Sequence, residues 1–213
     1  MNKVFEQHLN ETEINSLSRA VYLGYWAVDK MYKIYPVLGN FLPGRDLRPN
    51  LINVAVQFEL CKIAISGFNN KIELNAAKNC NHALLLKDGL KITAHYLGST
   101  KPRKMARSAI CRSPYAAVNS DIFAVFGAED DASVVSKDLY CHLYHSGLQK
   151  PELVWLAAPD DSQKGIIGSS LMLPTIEIEK LEKTEEIMDT IEHTLKAGVQ
   201  HNEHQQQLKE SNG

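Results

Sequence analysis

The chain has 213 residues, 44% of them hydrophobic and 23% charged, the balance of a globular protein able to build a core without a disulfide or metal staple. Lys and Arg total 23 against 25 Asp and Glu, so a net charge of −2 excludes a polycation as a description of the whole molecule. No run approaches the ~20 apolar residues that span a bilayer, and residues 1–10 lack the apolar stretch of a secretory signal. Cys61, Cys80, Cys111 and Cys141 form no CxxC pair. The expectation is a cytoplasmic protein with free thiols and no membrane contact.

Asn10 and Glu13 have the spacing of a capping box, in which each side chain satisfies the other's backbone amide. Ile14, Leu17, Val21, Gly24, Val28, Met31 and Tyr35 then recur in steps of three and four, which predicts a helix from about Glu11 to about Ile34. Tyr22, Tyr25, Trp26, Tyr32 and Tyr35 on that helix read as core and rim. Because Tyr22, Tyr25 and Trp26 stand partly off the stripe, they also suit a partner or dimer contact. Pro36, Gly39, Pro43 and Gly44 predict a loop. Asn50 can cap a second helix with Leu51, Val54, Phe58, Cys61 and Ile65 buried, ended by Gly67.

The period then changes. Asn81 to Leu97 predicts a hairpin, because Asp88-Gly89 supplies two residues that tolerate positive φ in a type I′ turn. That turn sets Lys87 opposite Leu90, Leu85 opposite Ile92 and His82 opposite His95. Leu85, Leu90, Ile92, Ala94 and Tyr96 share the better core face, and His82, Leu84, Leu86, Lys91, Thr93 and His95 the other. Ile72 to Ala77 suits a preceding strand. A helix is expected from Pro102 to before Pro114, whereas Asp121 to Phe126 fits strand or helix equally. Asp138 to His145 and Glu152 to Ala158 predict a second antiparallel pair joined through Ser146-Gly147, and Gly165 to Ser170 a loop. The expected fold class is α+β: an antiparallel sheet of about five strands packed with N-terminal helices. Residues 1–174 would form a single domain. Residues 175–213 carry nine acidic and four basic side chains, leaving the rest at +3, and predict an acidic C-terminal helix with a frayed polar tail.

Lys101, Arg103, Lys104, Arg107 and Arg112 are five bases within twelve residues with no acid among them. On a helix, Arg103, Lys104 and Arg107 share one face, which suits phosphate because guanidinium groups grip its oxygens in pairs. Tyr96 and Tyr115 are near enough in sequence to stack on bases. A solvated face meeting Glu129, Asp130 and Asp131 or the acidic tail is the plainer account. His82 and His95, as cross-strand neighbours, could divide acid and base roles in a ribonuclease that needs no metal. Cys80, Cys141, His142 and His145 offer only a weak zinc spacing, and His142 and His145 should face opposite ways along a strand. Glu59, Glu73 and Asp88 lack the pattern of a magnesium-dependent nuclease core, and Glu59 is better matched to Lys62 as a helical ion pair. No phosphate loop, dinucleotide fingerprint, HExxH or GxSxG occurs, and no motif names a cofactor.

These features lead to one expectation and one rival. The expectation is a nucleic-acid-binding protein, a candidate nuclease or toxin-like effector, whose basic helix contacts phosphates beside His82 and His95. The rival is a non-enzymatic regulator whose helices bind a protein partner or a second copy.

Overall fold

The computed structural model describes residues 3–62, 67–74, 81–98, 112–126 and 138–177. Among them the order is α1 (Lys3–Glu6), α2 (Glu11–Ile34), α3 (Pro36–Asn40), α4 (Leu42–Lys62), β1 (Asn69–Leu74), β2 (Asn81–Lys87), β3 (Leu90–Tyr96), α5 (Ser113–Phe126), β4 (Leu139–Ser146), β5 (Leu153–Pro159) and β6 (Ile166–Met172). The chain is α+β. No helix among the described residues is long and apolar enough to cross a membrane.

The capping box forms: Glu13 N donates to Asn10 Oδ1 at 3.0 Å, and Asn10 N to Glu13 Oε2 at 2.9 Å. Helix α2 buries the expected stripe of Ile14, Leu17, Val21, Gly24, Val28 and Met31. It also buries Tyr25, so that ring is core rather than a partner contact, while Tyr35 is exposed. Gly24 lets α2 and α4 touch backbone to backbone, since a Cβ there would lie 2.7 Å from Val56 N.

The second helix differs from expectation. It starts at Leu42 and runs through Pro49, so Asn50 is interior rather than a cap. Its buried positions are Gly44, Ile52, Ala55, Val56, Glu59 and Leu60, one step round from the stripe read in sequence. The predicted loop before it holds the short helix α3. Pro36 is tolerated there because a first-turn proline lacks an amide that would have no helical partner. Ile65 lies outside the described residues.

The hairpin forms in the predicted register, with Lys87 opposite Leu90 and Leu85 opposite Ile92, and with positive φ at Asp88 (42°) and Gly89 (84°). Strand β1 pairs antiparallel with β2, setting Glu73 opposite His82. Strands β4 and β5 pair antiparallel as expected. The sheet as a whole is corrected on two counts. Among the described residues it has six strands in the order β1-β2-β3-β4-β5-β6, and β3 runs parallel to β4. A parallel neighbour requires a long crossover, and residues 97–138, which include α5, supply one. The sixth strand, β6, takes the place of the loop predicted at Gly165 to Ser170, pairing with β5 at Ala158–Ile167 and Pro159–Ile166.

Helices α2 and α4 cover one face of the sheet. Leu85, Leu90, Ile92, Ala94, Leu139, Cys141, Leu143, Val154 and Leu156 join their apolar residues in one core. Helix α5 meets the other face, where Tyr115 packs its ring against Tyr140. Strand β4 is consequently buried at all eight positions, although every second side chain on it is Tyr, His or Ser. The helix expected from Pro102 lies outside the described residues as far as Cys111. Ser113 to Phe126 is helical, with Pro114 in its first turn rather than beyond its end. The acidic tail from residue 178 onward also lies outside them.

Candidate functional site

The parallel pairing of β3 with β4 sets Thr93 beside His142 and His95 beside Tyr144. Residues alternate faces along a strand, so Thr93, His95, Tyr140, His142 and Tyr144 all point to the side opposite the main core. There they form a continuous chain of polar atoms. His95 Nε2 and Thr93 Oγ1 are 2.8 Å apart, and Thr93 Oγ1 and the Tyr140 hydroxyl are also 2.8 Å apart. The Tyr140 hydroxyl is 3.1 Å from His142 Nε2, and His142 Nδ1 is 2.6 Å from the Tyr144 hydroxyl. Thr93, Tyr140, His142 and Tyr144 are buried; His95 is half-buried.

Arg112 closes one end of the chain. It is only 8% exposed, and its Nε donates to Gln163 Oε1 at 3.1 Å. Its Nη1 lies 3.0 Å from His95 Nδ1 and 3.2 Å from His95 Nε2. A nitrogen in the ring plane could not approach both without colliding with the carbon between them. The guanidinium therefore lies over the face of the imidazole.

A cation on the ring face disfavours a second positive charge. Burial first, then the neighbouring His142, Arg112, His145 and His82, hold His95 well below the ordinary histidine range. His142 is lowered to about 3, by burial and then by Arg112. Both imidazoles are thus neutral at pH 7, each with one N–H and one lone pair.

His82 and His95 extend the same row across the sheet. The paired ladder of β2 and β3 ends at Leu84–Thr93, and His82 and His95 lie two residues further along on the same face. His82 is lowered by burial, raised by Glu73 and lowered by Arg112, with a net downward shift. Its Nε2 is buried without a hydrogen-bond partner. Glu73 accepts from the Tyr115 hydroxyl at 2.9 Å and pairs with Lys71 at 2.8 Å. The Lys91 ammonium lies 5.3 Å from the centre of the Tyr115 ring. The half-buried rim of the site therefore carries Glu73, His82, Lys91 and Tyr115.

Of the residues singled out from sequence, His82, His95 and Arg112 come together here. Arg112 is packed into the site as the residue before α5, rather than lying on an open helix face. Lys101, Arg103, Lys104 and Arg107, together with Cys80 and Cys111, fall outside the described residues. His145 does face away from His142: it is buried on the core side, 3.2 Å from the Tyr25 hydroxyl through Nδ1. Among the described residues, no group of three or more His, Cys, Asp or Glu side chains stands where it could hold a metal ion. Glu59 pairs with Lys62 at 3.5 Å, as its spacing suggested. Tyr96, expected near bases, instead packs against the core and donates to Gly147 O at 2.9 Å.

Sequence reasoning missed Thr93, Tyr140, Tyr144 and Gln163. The available signal was the alternation of Tyr140, His142 and Tyr144 with the apolar Leu139, Cys141 and Leu143. Asn119 was also missed. It is buried in α5, donates to Tyr140 O (2.9 Å) and Pro159 O (2.8 Å), and accepts from Tyr140 N (2.9 Å). It thereby fixes α5 against β4 and β5. Comparison of the chain with protein-family models, with curated proteins and with solved structures finds no match.

Proposed function

We propose that this chain binds nucleic acid and cleaves RNA by acid–base chemistry, with Arg112 meeting the scissile phosphate. The observation that carries the reading is the Arg112 guanidinium lying over His95, with the His142 ring centre 4.3 Å from that of His95. A phosphodiester transition state needs a base for the 2′ hydroxyl, an acid for the leaving oxygen and a cation for the developing charge. Neutral His95 serves as the base. His82 at the rim serves as the acid, its imidazole gaining a proton as Glu73 and the bound phosphate add negative charge beside it. Arg112 supplies the cation, and a planar guanidinium suits two phosphate oxygens. The sequence running into Arg112 carries Lys101, Arg103, Lys104 and Arg107, which supports phosphate contacts along a strand.

The test is fluorescence anisotropy with labelled single-stranded RNA at about 50 and about 200 mM salt. Binding that weakens steeply with salt, and is lost in the double variant Arg103→Glu, Arg107→Glu, is the expected result. No binding at the lower salt would sink the proposal.

One observation favours the rival reading of a partner-binding protein. Val37 (65%), Phe41 (61%) and Leu42 (68%) are exposed together where α3 meets α4. Such a patch suits a protein contact. Under that reading the Arg103/Arg107 variant would change no RNA binding, and Phe41→Ser would disrupt an assembly detectable by light scattering.

A further inference from the structure

We propose that Thr93, Tyr140 and His142 form a proton relay that allows His95 to act as a base beneath a guanidinium. This rests on the reading of His95 as the residue that takes the substrate proton.

The difficulty that the relay solves is local. Arg112 covers the His95 ring, and His142 and His82 flank it on the same face, with Glu73 the nearest anion of the row but beside His82 rather than His95. An imidazolium confined there would be strongly disfavoured. A base that cannot keep the proton must pass it on as it receives it.

The hydrogen-bond chain offers the path. In one arrangement His95 Nε2–H donates to Thr93 Oγ1, the threonine hydroxyl to the Tyr140 oxygen, the Tyr140 hydroxyl to His142 Nε2, and His142 Nδ1–H to the Tyr144 oxygen. Each of these four donors then meets one acceptor, and His95 Nδ1 carries a lone pair. When the 2′ hydroxyl gives its proton to Nδ1, the Nε2 proton moves to Thr93, the threonine proton to Tyr140 and the tyrosine proton to His142 Nε2. His95 ends neutral, and the single positive charge rests on His142. Burial and Arg112 disfavour the charge there too, so His142 holds it only in passing. Both of its N–H groups nevertheless donate to phenol oxygens, those of Tyr140 and Tyr144, whereas His95 carries the guanidinium on its ring face. The reverse movement returns His95 to its starting tautomer. Each link passes one proton and no atom is lost.

The three relay residues act through His95 and are positioning residues. Thr93 is the most informative link because Val replaces its hydroxyl with a methyl group of similar size. The experiment compares wild type, Thr93→Val, Thr93→Ser and Tyr140→Phe in two readouts. The first is the pH–rate profile of RNA cleavage in EDTA. The second is the nitrogen chemical shifts of His95 and His142, which report their tautomers directly. Thr93→Val and Tyr140→Phe should lower kcat by about 10²-fold with KM nearly unchanged. Thr93→Ser should restore kcat, and Thr93→Val should alter the tautomer of His142, a residue that Thr93 does not itself bond.

A Thr93→Val enzyme as fast as wild type, or a serine variant as slow as the valine, would overturn the relay. If wild type cleaves no RNA, the functional reading fails, and the nitrogen shifts decide the relay alone. A His142 tautomer altered by Thr93→Val supports a connected chain, and an unaltered one refutes it.

Discussion

His95 and His142 stand on adjacent parallel strands with ring centres 4.3 Å apart and planes inclined at 60°. The two rings contact each other directly and are also joined through Thr93 and Tyr140. Burial keeps them neutral, and that neutrality equips them to take protons rather than merely hold charge. Pairs of titratable groups brought together in one environment are characteristic of functional sites. Under the proposed function, the contact with Arg112 directs this network toward chemistry on an anion.

Burial of these histidines makes stability fall in acid. His142 and His145 are both lowered from 6.5 to about 3, chiefly by burial. A histidine lowered in the folded state is proton-free there while the unfolded chain takes up its proton, so each contributes a loss of stability as pH falls from about 6.5 toward 3. Above that window both states are neutral and nothing changes. Between pH 7 and 4.5, wild type should lose roughly 2–3 kcal/mol more than His145→Gln. Urea denaturation at a series of pH values measures the difference; parallel curves would show that His145 protonates as readily when folded.

Asn119 should be among the costliest side chains of α5 to remove. Truncation to Ala leaves the Tyr140 N–H and the Pro159 carbonyl without their buried partner. The expected loss is about 3 kcal/mol, read from the urea midpoint. Because Asn119 also fixes the helix that follows Arg112, activity in the folded fraction should fall as well.

Gly24 is predicted to tolerate no side chain. A methyl group would meet the Val56 backbone at 2.7 and 2.8 Å, and a backbone cannot swing aside as a flexible side chain can. Gly24→Ala should destabilise by roughly 2 kcal/mol despite the higher helix propensity of alanine. Thermal denaturation would show it.

The hairpin is tied to α2 by a charge pair whose two members are unequal in effect. Lys87 Nζ meets Glu13 Oε1 at 2.5 Å and also the His8 carbonyl at 3.0 Å. Glu13 is buried, so Lys87→Met leaves a carboxylate without its counter-ion and should cost about 3 kcal/mol. Glu13→Gln keeps the cap and leaves Lys87 bonded to the carbonyl, so its cost should be clearly smaller. Equal losses in denaturant midpoints would contradict this.

Local rules carried much of the fold. Asn10 and Glu13 mark the start of α2, Asp88-Gly89 sets the hairpin register, and that register alone put His82 and His95 on one face. Long-range pairing was not legible. Nothing local to Leu90–Tyr96 or Leu139–Ser146 says that these strands run parallel, because the crossover that permits it takes up residues 97–138 and obeys no turn rule. The site inherits that gap. Thr93 reads as an ordinary strand residue until His142 is set beside it, and Arg112 as one more surface base until α5 begins at the next residue. Helix α4 shows the other failure, a reading in which Pro49 and Asn50 pointed to a helix start although packing against α2 carries the helix past them.

If the Arg112–His95 cluster is chemically active as proposed, the folded protein cleaves single-stranded RNA in EDTA. Wild type, His95→Ala and Arg112→Lys would be compared under single-turnover conditions, with folding of each checked by circular dichroism. Cleavage by wild type that falls by about 10²-fold or more in His95→Ala, and that lysine only partly restores at position 112, is the predicted result. No cleavage by folded wild type under any salt condition, or cleavage that His95→Ala leaves untouched, would contradict it.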